Sequence, residues 1–597
     1  MAASTRTWLI LAVAGFVVLI HGAWWGFGDQ MVARGVFADG DSYTRLIRAE
    51  RLLQTGDWLD VSIPRANAPH GTSVHWTRPF DVVLLALALP LLPALGLKGA
   101  LYWAGVVVSP LLHVVLGAVL AWTAVPLLGR AGAAVAGAVT AAQAGVLSFS
   151  LVGRADHHMM FACLAALATG CLIRSFAEAD GGARAAVSAG LVIAAGLWIG
   201  PEFLVFMALV LAVAGLPWLA GEAGAGRRNV GLAGGLATGL VVAVLLERLP
   251  GGFLDISYDR VSVVHLGLAL LLLLFWGVVH RVEMRLPSIT LRTAVALAGA
   301  AGLLLTMHLV FPNFLGNPLV ADADPAIGPI FAHISEYRPV TDVARFLVYF
   351  GSALFAGPWL VWRLTGGRGE GHLWSWLLLA AGLVLFTGMA MAWLRWCLYA
   401  ALFLSIVLAD VVVAADEGLS RRFRFPARVP AKVLVMLALA VGPLALGSGL
   451  LHAKKTPEER AAAREEACPI RLLAPLLGES PRTIVASANF GPELMYRTPH
   501  RVVATVHHRN IAGILDGHRI LNGTDDAASR ALAEVRGVDL VLLCPETSND
   551  TYFLIGDADG SLYRRLVSGP SPDWLRPRAL PADLAAKFRL FEVVATP

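Results

Sequence analysis

Residues 261–280, VSVVHLGLALLLLLFWGVVH, form a run of twenty positions without a single Asp, Glu, Lys or Arg. A helix of about 20 apolar residues is what crosses the ~30 Å hydrocarbon layer of a bilayer. Runs of this kind recur from Val13 to Leu451. The chain as a whole is 57% hydrophobic and 15% charged, whereas soluble proteins carry about 25% charged residues. The sequence therefore predicts a polytopic α-helical membrane protein.

Thirteen segments approach the length of a membrane span. They are residues 7–26, 100–125, 131–151, 157–177, 185–199, 201–220, 229–247, 261–280, 290–310, 342–363, 372–391, 393–414 and 431–452. The stretch Val82–Leu97 is also apolar, but it is short and contains Pro90 and Pro93, so we expect a helix that lies at the surface or re-enters. With the N-terminus in the cytoplasm, every cytoplasmic loop then carries Arg or Lys, including the cluster from Arg421 to Lys432, as the positive-inside rule requires.

This topology leaves three sizeable pieces outside the cytoplasm: residues 26–99, residues 311–341 and the tail after His452. We expect a membrane domain, residues 1–453, followed by a small extracytoplasmic α/β domain, residues 454–597. Three runs in this domain are typical of strands: Thr483–Ala488, Arg501–Val506 and Val538–Cys544. Two runs are typical of helices: Pro457–Leu473 and Asp526–Val535.

The net charge of +5 does not indicate nucleic-acid binding, because excess Arg and Lys belongs to cytoplasmic loops and no basic run is interleaved with aromatic residues. The five cysteines lack the spacing of a zinc site. Of these, only Cys468 and Cys544 fall in the tail, where they could form a disulfide.

Ionisable residues at the ends of membrane helices are costly and are therefore candidates for function. The first group is Asp39-Gly40-Asp41-Ser42-Tyr43, just after the first span. A carboxylate in such a turn can coordinate a divalent cation. The alternative is that Asp41 or Ser42 caps the following helix; the two aspartates allow both roles.

The second group is Gly153-Arg154-Ala155-Asp156-His157-His158, at the outer end of the third span. Asp156 and His158 could offer one metal ion an oxygen and an imidazole nitrogen from a single turn. Capping of the next helix is the alternative. His157 could bind an acceptor or pack against its neighbours.

The third group, His333–Pro339, lies near the end of the later outer loop. Glu336 could add a carboxylate and Arg338 could bind phosphate, although an ordinary exposed loop would look the same. In the tail, Asn489–Glu493 and His507–Asn510 are compact polar motifs. They could line a substrate entrance, but we interpret them as turns and strand ends.

Arg395 lies between Trp393 and Trp396 within the apolar run Met389–Leu408. A charge at this depth requires a polar cavity or an anion, and a pyrophosphate is a suitable partner for guanidinium. Snorkelling to the interface is the alternative.

Together these groups resemble the catalytic subunits of oligosaccharyltransferases, a branch of the GT-C membrane glycosyltransferases. Asp41-Ser42-Tyr43 resembles that family's D-x-Y motif, and Asp156-His157-His158 resembles the D-x-H form of its second acidic motif. Glu336 resembles the glutamate of its later loop, and Arg395 resembles an arginine that meets the lipid-linked pyrophosphate. The family's sequon-reading W-W-D-Y-G motif is absent.

The resemblance implies a GT-C-like fold and metal-dependent transfer of a sugar or oligosaccharide from a polyprenyl-(pyro)phosphate donor to an extracytoplasmic glycan, lipid or protein. Asp41, Asp156 and Glu336 would be catalytic and, with His158, would hold Mn²⁺ or Mg²⁺. Arg395, Arg338, Tyr43 and His157 would bind substrates. We expect the protein in a bacterial inner membrane. The alternatives are a transferase that uses a polyprenyl-monophosphate sugar to modify lipid or polysaccharide, and a transporter or assembly scaffold.

Overall fold

The structure is a computed structural model that describes residues 2–27, 31–177, 182–316, 324, 327–332, 334–366, 371–424, 427–456, 466–545, 547 and 560–594.

Before residue 454 the described chain is almost entirely helical. Its α-helices are α1 (Ala2–Phe27), α2 (Gly40–Thr55), α3 (Pro79–Ala88), α4 (Leu92–Val139), α5 (Ala144–Leu147), α6 (His158–Ala177), α7 (Ala183–Ile199), α8 (Phe203–Leu219), α9 (Ala225–Arg248), α10 (Val263–Val282), α11 (Ile289–Val310), α12 (Ile327–Ala332), α13 (Val343–Phe350), α14 (Ala353–Thr365), α15 (Leu373–Ala392), α16 (Cys397–Arg422), α17 (Arg428–Met436) and α18 (Gly442–Ala453). Each of the thirteen predicted segments overlaps one or two of these helices, which confirms the polytopic helical fold.

Within the described residues, eight helical runs are long and apolar enough to cross a membrane, or nine if the pair α13 and α14, bent by 57°, is one span. Three further apolar helices are shorter: residues 10–26, α7 and α8. The number of crossings and the side on which each terminus lies therefore stay predictions.

Glycine breaks the longest helical run, Pro79–Ala142, into separate segments. Gly96 and Gly129 have φ angles of 65° and 64°, which glycine adopts without the steric cost that a Cβ would bring. The break at Gly96 separates the predicted surface segment Val82–Leu97 from the helix that follows it.

Helix α16 lies at the centre of the membrane region. Its most apolar window is 83% buried, whereas that of α11 is 6% buried. A helix that is hydrophobic on all sides is expected to be surrounded by other helices. Phe386 of α15 stacks on Tyr399 of α16 with ring centroids 4.9 Å apart, so aromatic packing joins these two helices beneath the outer face.

The tail forms the small α/β unit that the sequence predicts. Its sheet has the order β4-β3-β5-β7-β6, with β3 (Thr483–Val485), β4 (Arg501–Val502), β5 (Leu540–Leu543), β6 (Leu575–Pro577) and β7 (Arg589–Val593). Strands β3, β4 and β5 are parallel, and β7 pairs antiparallel with β5 and β6. The helices are α19 (Ile470–Leu473), α20 (Gly491–Arg497), α21 (Ile511–Asn522), α22 (Asp526–Val535), α23 (Leu562–Ser568) and α24 (Ala582–Ala585).

The predicted strands and the predicted helix Asp526–Val535 are confirmed, and Asp525 caps that helix. Of the predicted helix Pro457–Leu473, residues 457–465 lie outside the described chain and only Ile470–Leu473 is α-helical. Cys468 and Cys544 form a disulfide.

The tail shares a hydrophobic core with the first outer loop. That loop contains a short antiparallel pair, β1 (Ser62–Ile63) and β2 (Thr72–Ser73). Ile63, Val74 and Trp76 from the loop are buried in one cluster with Ile484 and Leu540 from the tail sheet. A backbone hydrogen bond also joins the tail to this loop: the amide of Val502 donates to the carbonyl of Arg65 at 2.8 Å. The tail is thereby fixed to the loop between α1 and α4.

Candidate active site

Helix α2 begins at an aspartate cap. Asp39 has extended backbone (φ −155°, ψ 170°), and its Oδ1 accepts hydrogen bonds from the amide of Ser42 at 2.9 Å and from Ser42 Oγ at 2.7 Å. The prediction that Asp41 or Ser42 is the N-cap is therefore wrong, because only Asp39 has the extended backbone that a cap requires. Asp41 lies in the first turn, with its carboxylate outside the cap.

The second group of polar residues is bound directly to this cap. The amide of Ala38 donates to the carbonyl of Gly153 at 3.0 Å, and the amide of Ala155 donates to Ser42 Oγ at 2.9 Å. Gly153 has a φ of +81°, and a Cβ there would lie 2.5 Å from Val32, so this close approach requires glycine. These bonds bring residues more than 100 positions apart in the chain into contact.

Asp156, His157 and His158 form a tight cluster in which one ligand atom from each lies within 4.8 Å of the others. Asp156 Oδ1 accepts from the backbone amide of His157 at 2.7 Å and lies 2.5 Å from His157 Nδ1. Asp156 Oδ2 contacts His158 Nδ1. His158 Nε2 is buried and has no hydrogen-bond partner among the described residues. Burial of such a nitrogen without a partner is costly.

Arg154 connects the three polar groups. Its guanidinium lies 3.2 Å from Asp39 Oδ2 and 3.9 Å from Asp156 Oδ2, and it forms an ion pair with Glu336. A further bond runs from Arg154 Nη1 to the carbonyl of Ser148 at 2.9 Å. One cation thus joins carboxylates from three distant parts of the chain.

The pKa values of the carboxylates at this site are shifted by burial and by the charges around them. Burial, followed by repulsion from Asp156, Asp39 and Glu336, raises the pKa of Asp41 well above its usual range. Burial would also raise the pKa of Asp156, but His158 and His157 hold it well below its usual range. Burial would raise the pKa of Glu336, but His158, Arg154 and Arg395 lower it. An additional positive charge close to Asp41 would stabilise its ionised carboxylate next to these groups.

The later outer loop joins the site through the segment before α16. A 3₁₀ turn, Ser335–Tyr337, carries Glu336, and the carbonyl of Arg338 accepts from the amide of Leu394 at 3.2 Å. Arg395 forms an ion pair with Glu202 and donates from Nη1 to the Tyr337 hydroxyl at 3.0 Å. Arg395 therefore has a protein carboxylate as its partner, and it lies next to the loop that holds Glu336.

The tail contributes His507 to the same site. His507 Nε2 lies 3.0 Å from Thr44 Oγ1, and Nδ1 lies 3.8 Å from Asp41 Oδ1. Its ring packs edge-on against Trp76 at 4.7 Å. Burial, followed by the nearby His508 and Arg45, lowers the pKa of His507 to about 3. A neutral imidazole from the tail therefore faces the first acidic motif.

The structure brings Asp156, His157 and His158 within 4.8 Å of one another, whereas Asp41 and Glu336 lie outside this group of possible metal ligands. Glu336 is connected to the group through Arg154. Tyr43 is buried, and its hydroxyl accepts from the amide of Phe37 at 3.1 Å and from Arg497 Nη2 at 3.3 Å. Arg338 is exposed. The catalytic, ligand and substrate roles of all eight residues stay predictions.

Three polar residues have a role at this site that the sequence did not predict: Asp39 as the cap, Glu202 as the partner of Arg395, and His507 as the neighbour of Asp41. Glu202 could have been found by its position directly before an apolar helix, where a charge needs a partner. His507 was interpreted as part of a turn, and no local signal distinguishes it from the histidine that follows.

No known family profile matches the sequence, and no curated protein matches it. Solved structures do match. The archaeal oligosaccharyltransferase AglB from Archaeoglobus fulgidus, in complex with an inhibitory peptide and a dolichol-phosphate, aligns with a TM-score of 0.68 over 93% of this chain and 71% of that chain, at 14% identity. This chain has the fold of a GT-C membrane glycosyltransferase.

Two further structures of the archaeal enzyme agree with this fold. Its complex with Zn and sulfate has a TM-score of 0.63 over 92% of this chain and 70% of that chain, at 14% identity. The form tethered to an acceptor peptide with the NVT sequon has a TM-score of 0.64 over 93% and 71%, at 14% identity. At this identity the likeness shows the GT-C fold alone, and it confirms the fold that the sequence motifs implied.

Proposed function

We propose that this protein is a metal-dependent membrane glycosyltransferase. It moves a sugar or oligosaccharide from a polyprenyl-(pyro)phosphate donor to an acceptor outside the cytoplasm. The observation that carries the proposal is the meeting of Asp156 and Glu336 at the Arg154 guanidinium, with His158 bonded to Asp156. The same guanidinium pairs with Asp39, which caps the turn that carries Asp41. A GT-C fold that places these groups together supports glycosyl transfer better than transport, which calls for ionisable groups near mid-membrane.

The donor groups fit a divalent cation. The group whose ligand atoms lie within 4.8 Å of one another combines one carboxylate oxygen, from Asp156, with ring nitrogens of His157 and His158. His158 Nε2 has no partner among the described residues. Carboxylate oxygens suit Mg²⁺ and Mn²⁺, whereas imidazole nitrogens suit Zn²⁺ and other transition metals. The archaeal enzyme of the same fold has been solved with Zn. Asp41, Asp156 and His158 would hold the ion, which would supply Lewis-acid stabilisation of the phosphate leaving group.

Arg154 and Glu336 position this ligand set. Arg154 holds Asp39, and Asp39 fixes the first turn of α2, which carries Asp41. Glu336 reaches the same guanidinium from the later outer loop.

Arg395 binds the phosphate of the donor. In the structure its charge is neutralised by Glu202, and Tyr337 holds one of its nitrogens. A phosphate oxygen can replace a carboxylate oxygen on guanidinium because both anions accept the same bidentate geometry. The archaeal enzyme of this fold has been solved with a dolichol-phosphate, which supports a polyprenyl carrier here.

The acceptor is a glycan, a lipid or a protein. The archaeal enzyme has been solved with an NVT-containing peptide, but the W-W-D-Y-G motif is absent from this chain. Mass spectrometry of the spent donor, which shows one phosphate or two, separates the monophosphate alternative from a pyrophosphate donor.

The test is transfer by purified protein in nanodiscs, followed as release of sugar from extracted lipid-linked donors. We expect Asp41→Ala and Asp156→Ala each to abolish transfer while leaving yield and gel-filtration profile unchanged. Asp573→Ala, at an exposed tail aspartate, is the matched control and should retain full activity. Wild-type rates in both site variants would refute the proposed function.

A further inference from the structure

A cavity next to the candidate active site lies between α2 and the tail. Its volume is about 520 Å³, and its walls come from α2, the segment after β1, the start of α4 and residues 495–499. Pockets for small ligands usually measure about 300–1,000 Å³. Because α2 rises about 1.5 Å per residue, the part of that helix from Arg48 to Gln54 lies roughly 10–20 Å from Asp41.

The wall of the cavity is strongly basic. One carboxylate, Glu50, faces five cationic side chains, which are Arg48, Arg51, Arg65, Lys98 and Arg497. A concave surface lined by one sign of charge concentrates ions of the opposite sign. The cavity is therefore suited to an anionic group.

Protein carboxylates only partly neutralise these cations. Arg51 and Arg497 pair with Asp60 and Glu493, respectively. Arg65 donates to the backbone carbonyls of residues 498 and 500, which carry no charge. Lys98 is exposed and forms no ion pair with any residue that the structure describes. Glu50 is the one carboxylate in the wall, and it interacts with Arg65, so one positive charge in the wall remains without a carboxylate partner.

Arg48 provides an independent sign of a missing ligand. It is 2% exposed, and its pair with Asp81, at 2.7 Å, uses Nη2. Its Nη1 is buried and has no hydrogen-bond partner among the described residues. A buried donor left unsatisfied is costly, and Arg48 belongs to the wall of the cavity.

Two exposed leucines lie close in sequence to residues that line the cavity. Leu53 precedes Gln54 and Leu95 is three residues before Lys98, and these leucines are 42% and 44% exposed. Leu95 lies just before the helix predicted to enter the bilayer at residue 100. Basic side chains next to exposed leucines at a membrane boundary match a lipid that has a charged headgroup and apolar chains.

We propose that this cavity binds the phosphate headgroup of an anionic membrane lipid, with the acyl chains lying over the exposed leucines. Lys98 and Arg65 face the phosphate, and Glu50 limits the affinity by repulsion. This binding does not depend on the proposed transfer reaction, because the cavity is removed from Asp41 by about two or more turns of helix.

The experiment measures binding by the full-length detergent-purified protein, without any sugar donor. The probes are short-chain phosphatidylglycerol, short-chain phosphatidylcholine as a zwitterionic lipid, and inorganic phosphate. Three variants each change one charge by one unit: Lys98→Gln, Glu50→Gln and, as the matched control, Arg576→Gln at an exposed position of the tail.

We expect phosphatidylglycerol to bind more tightly than the other two probes. One cationic side chain near a lipid headgroup changes affinity roughly fivefold, so Lys98→Gln should weaken binding by about this factor. Glu50→Gln should strengthen it by a similar factor, and Arg576→Gln should leave it unchanged. The opposite signs of the first two effects exclude general loss of folding as their cause.

Two results would overturn the proposal. Equal affinity for the two lipids, with no effect of either cavity variant, would mean that the cavity does not recognise an anionic headgroup. Inorganic phosphate that binds as tightly as phosphatidylglycerol would assign the cavity to free anions instead of lipid.

Discussion

Replacement of Asp259 by Asn should loosen the tail from the membrane region. Asp259 lies in the loop between α9 and α10, and its Oδ2 accepts from Arg509 Nε at 2.7 Å while Oδ1 accepts from Arg509 Nη2 at 2.7 Å. His508 Nε2 lies 2.9 Å from Oδ2. His507, the next residue towards the site, faces Asp41. This ion pair therefore anchors the part of the tail that reaches the candidate active site.

The magnitude follows from the number of bonds that asparagine cannot make. Asn keeps one acceptor oxygen but loses the charge and one of the two bonds from Arg509. Hydrogen bonds to charged groups contribute about 1.5–3 kcal/mol each, and the Asp259 side chain is only 15% exposed. We expect local opening to become easier by about 2–3 kcal/mol, which corresponds to roughly 30- to 150-fold.

Hydrogen–deuterium exchange in nanodiscs measures this opening. The amides of residues 508–522, in the turn and helix that follow His507, should exchange faster in Asp259→Asn by that factor. The control is Asp255→Asn, at an exposed aspartate of the same loop. Unchanged exchange in Asp259→Asn, or an equal increase in the control, would refute the reasoning.

The same pair predicts a direction for pH dependence. Burial would raise the pKa of Asp259, but hydrogen bonds from His508 and Arg509 hold it well below its usual range. A carboxylate whose pKa is lower in the folded state stabilises that state fully above its unfolded pKa of about 3.9 and loses the effect as pH falls through the folded value. Asp259 therefore stays charged when the pH is lowered from neutral to about 4, so its titration should not make the opening of residues 508–522 easier over this range.

Three further predictions concern the metal, the disulfide and the donor. Asp41→Asn and Asp156→Asn should each weaken Mn²⁺ binding, measured by electron paramagnetic resonance, by at least about tenfold, since loss of supporting groups alone costs 10- to 100-fold; unchanged affinity would rule out these ligands. Replacing Cys468 and Cys544 by Ser opens a loop of 76 residues, so the unfolding free energy of the tail should fall by about 4 kcal/mol, and a thermal transition identical to that of the oxidised wild type would contradict this. Arg395→Gln should raise the apparent KM for the lipid-linked donor by about tenfold or more, because a charge-assisted phosphate contact is lost; an unchanged KM would argue against a donor-binding role.

Hydropathy predicted the membrane helices well because each span must bury its own backbone polar groups within about 20 residues. That constraint is local, so it can be recognised without knowing the fold. The N-cap residue of α2 was harder to predict from the sequence. Asp39, Asp41 and Ser42 all suit a helix N-terminus, and only the extended backbone at Asp39 decides among them.

The partners of the site residues depend on contacts across long sequence separations. Glu202 and Arg395 are 193 residues apart, and Arg509 and Asp259 are 250 apart. Charge alone does not indicate which carboxylate meets which arginine. The sequence identified Arg395 as a charge in need of an anion, but the structure was needed to find Glu202.

The core shared by Ile63 and Trp76 with the tail has a consequence for biosynthesis. These two residues emerge from the ribosome about 400 positions ahead of the sheet that covers them, and at about 5–20 residues per second this gap lasts roughly 20–80 s. During that interval the first outer loop has no partner, and the turn that carries Asp41 lacks its contact with His507. The contact between Asp41 and His507 therefore forms late in synthesis, after the last fifth of the polypeptide has folded against this loop.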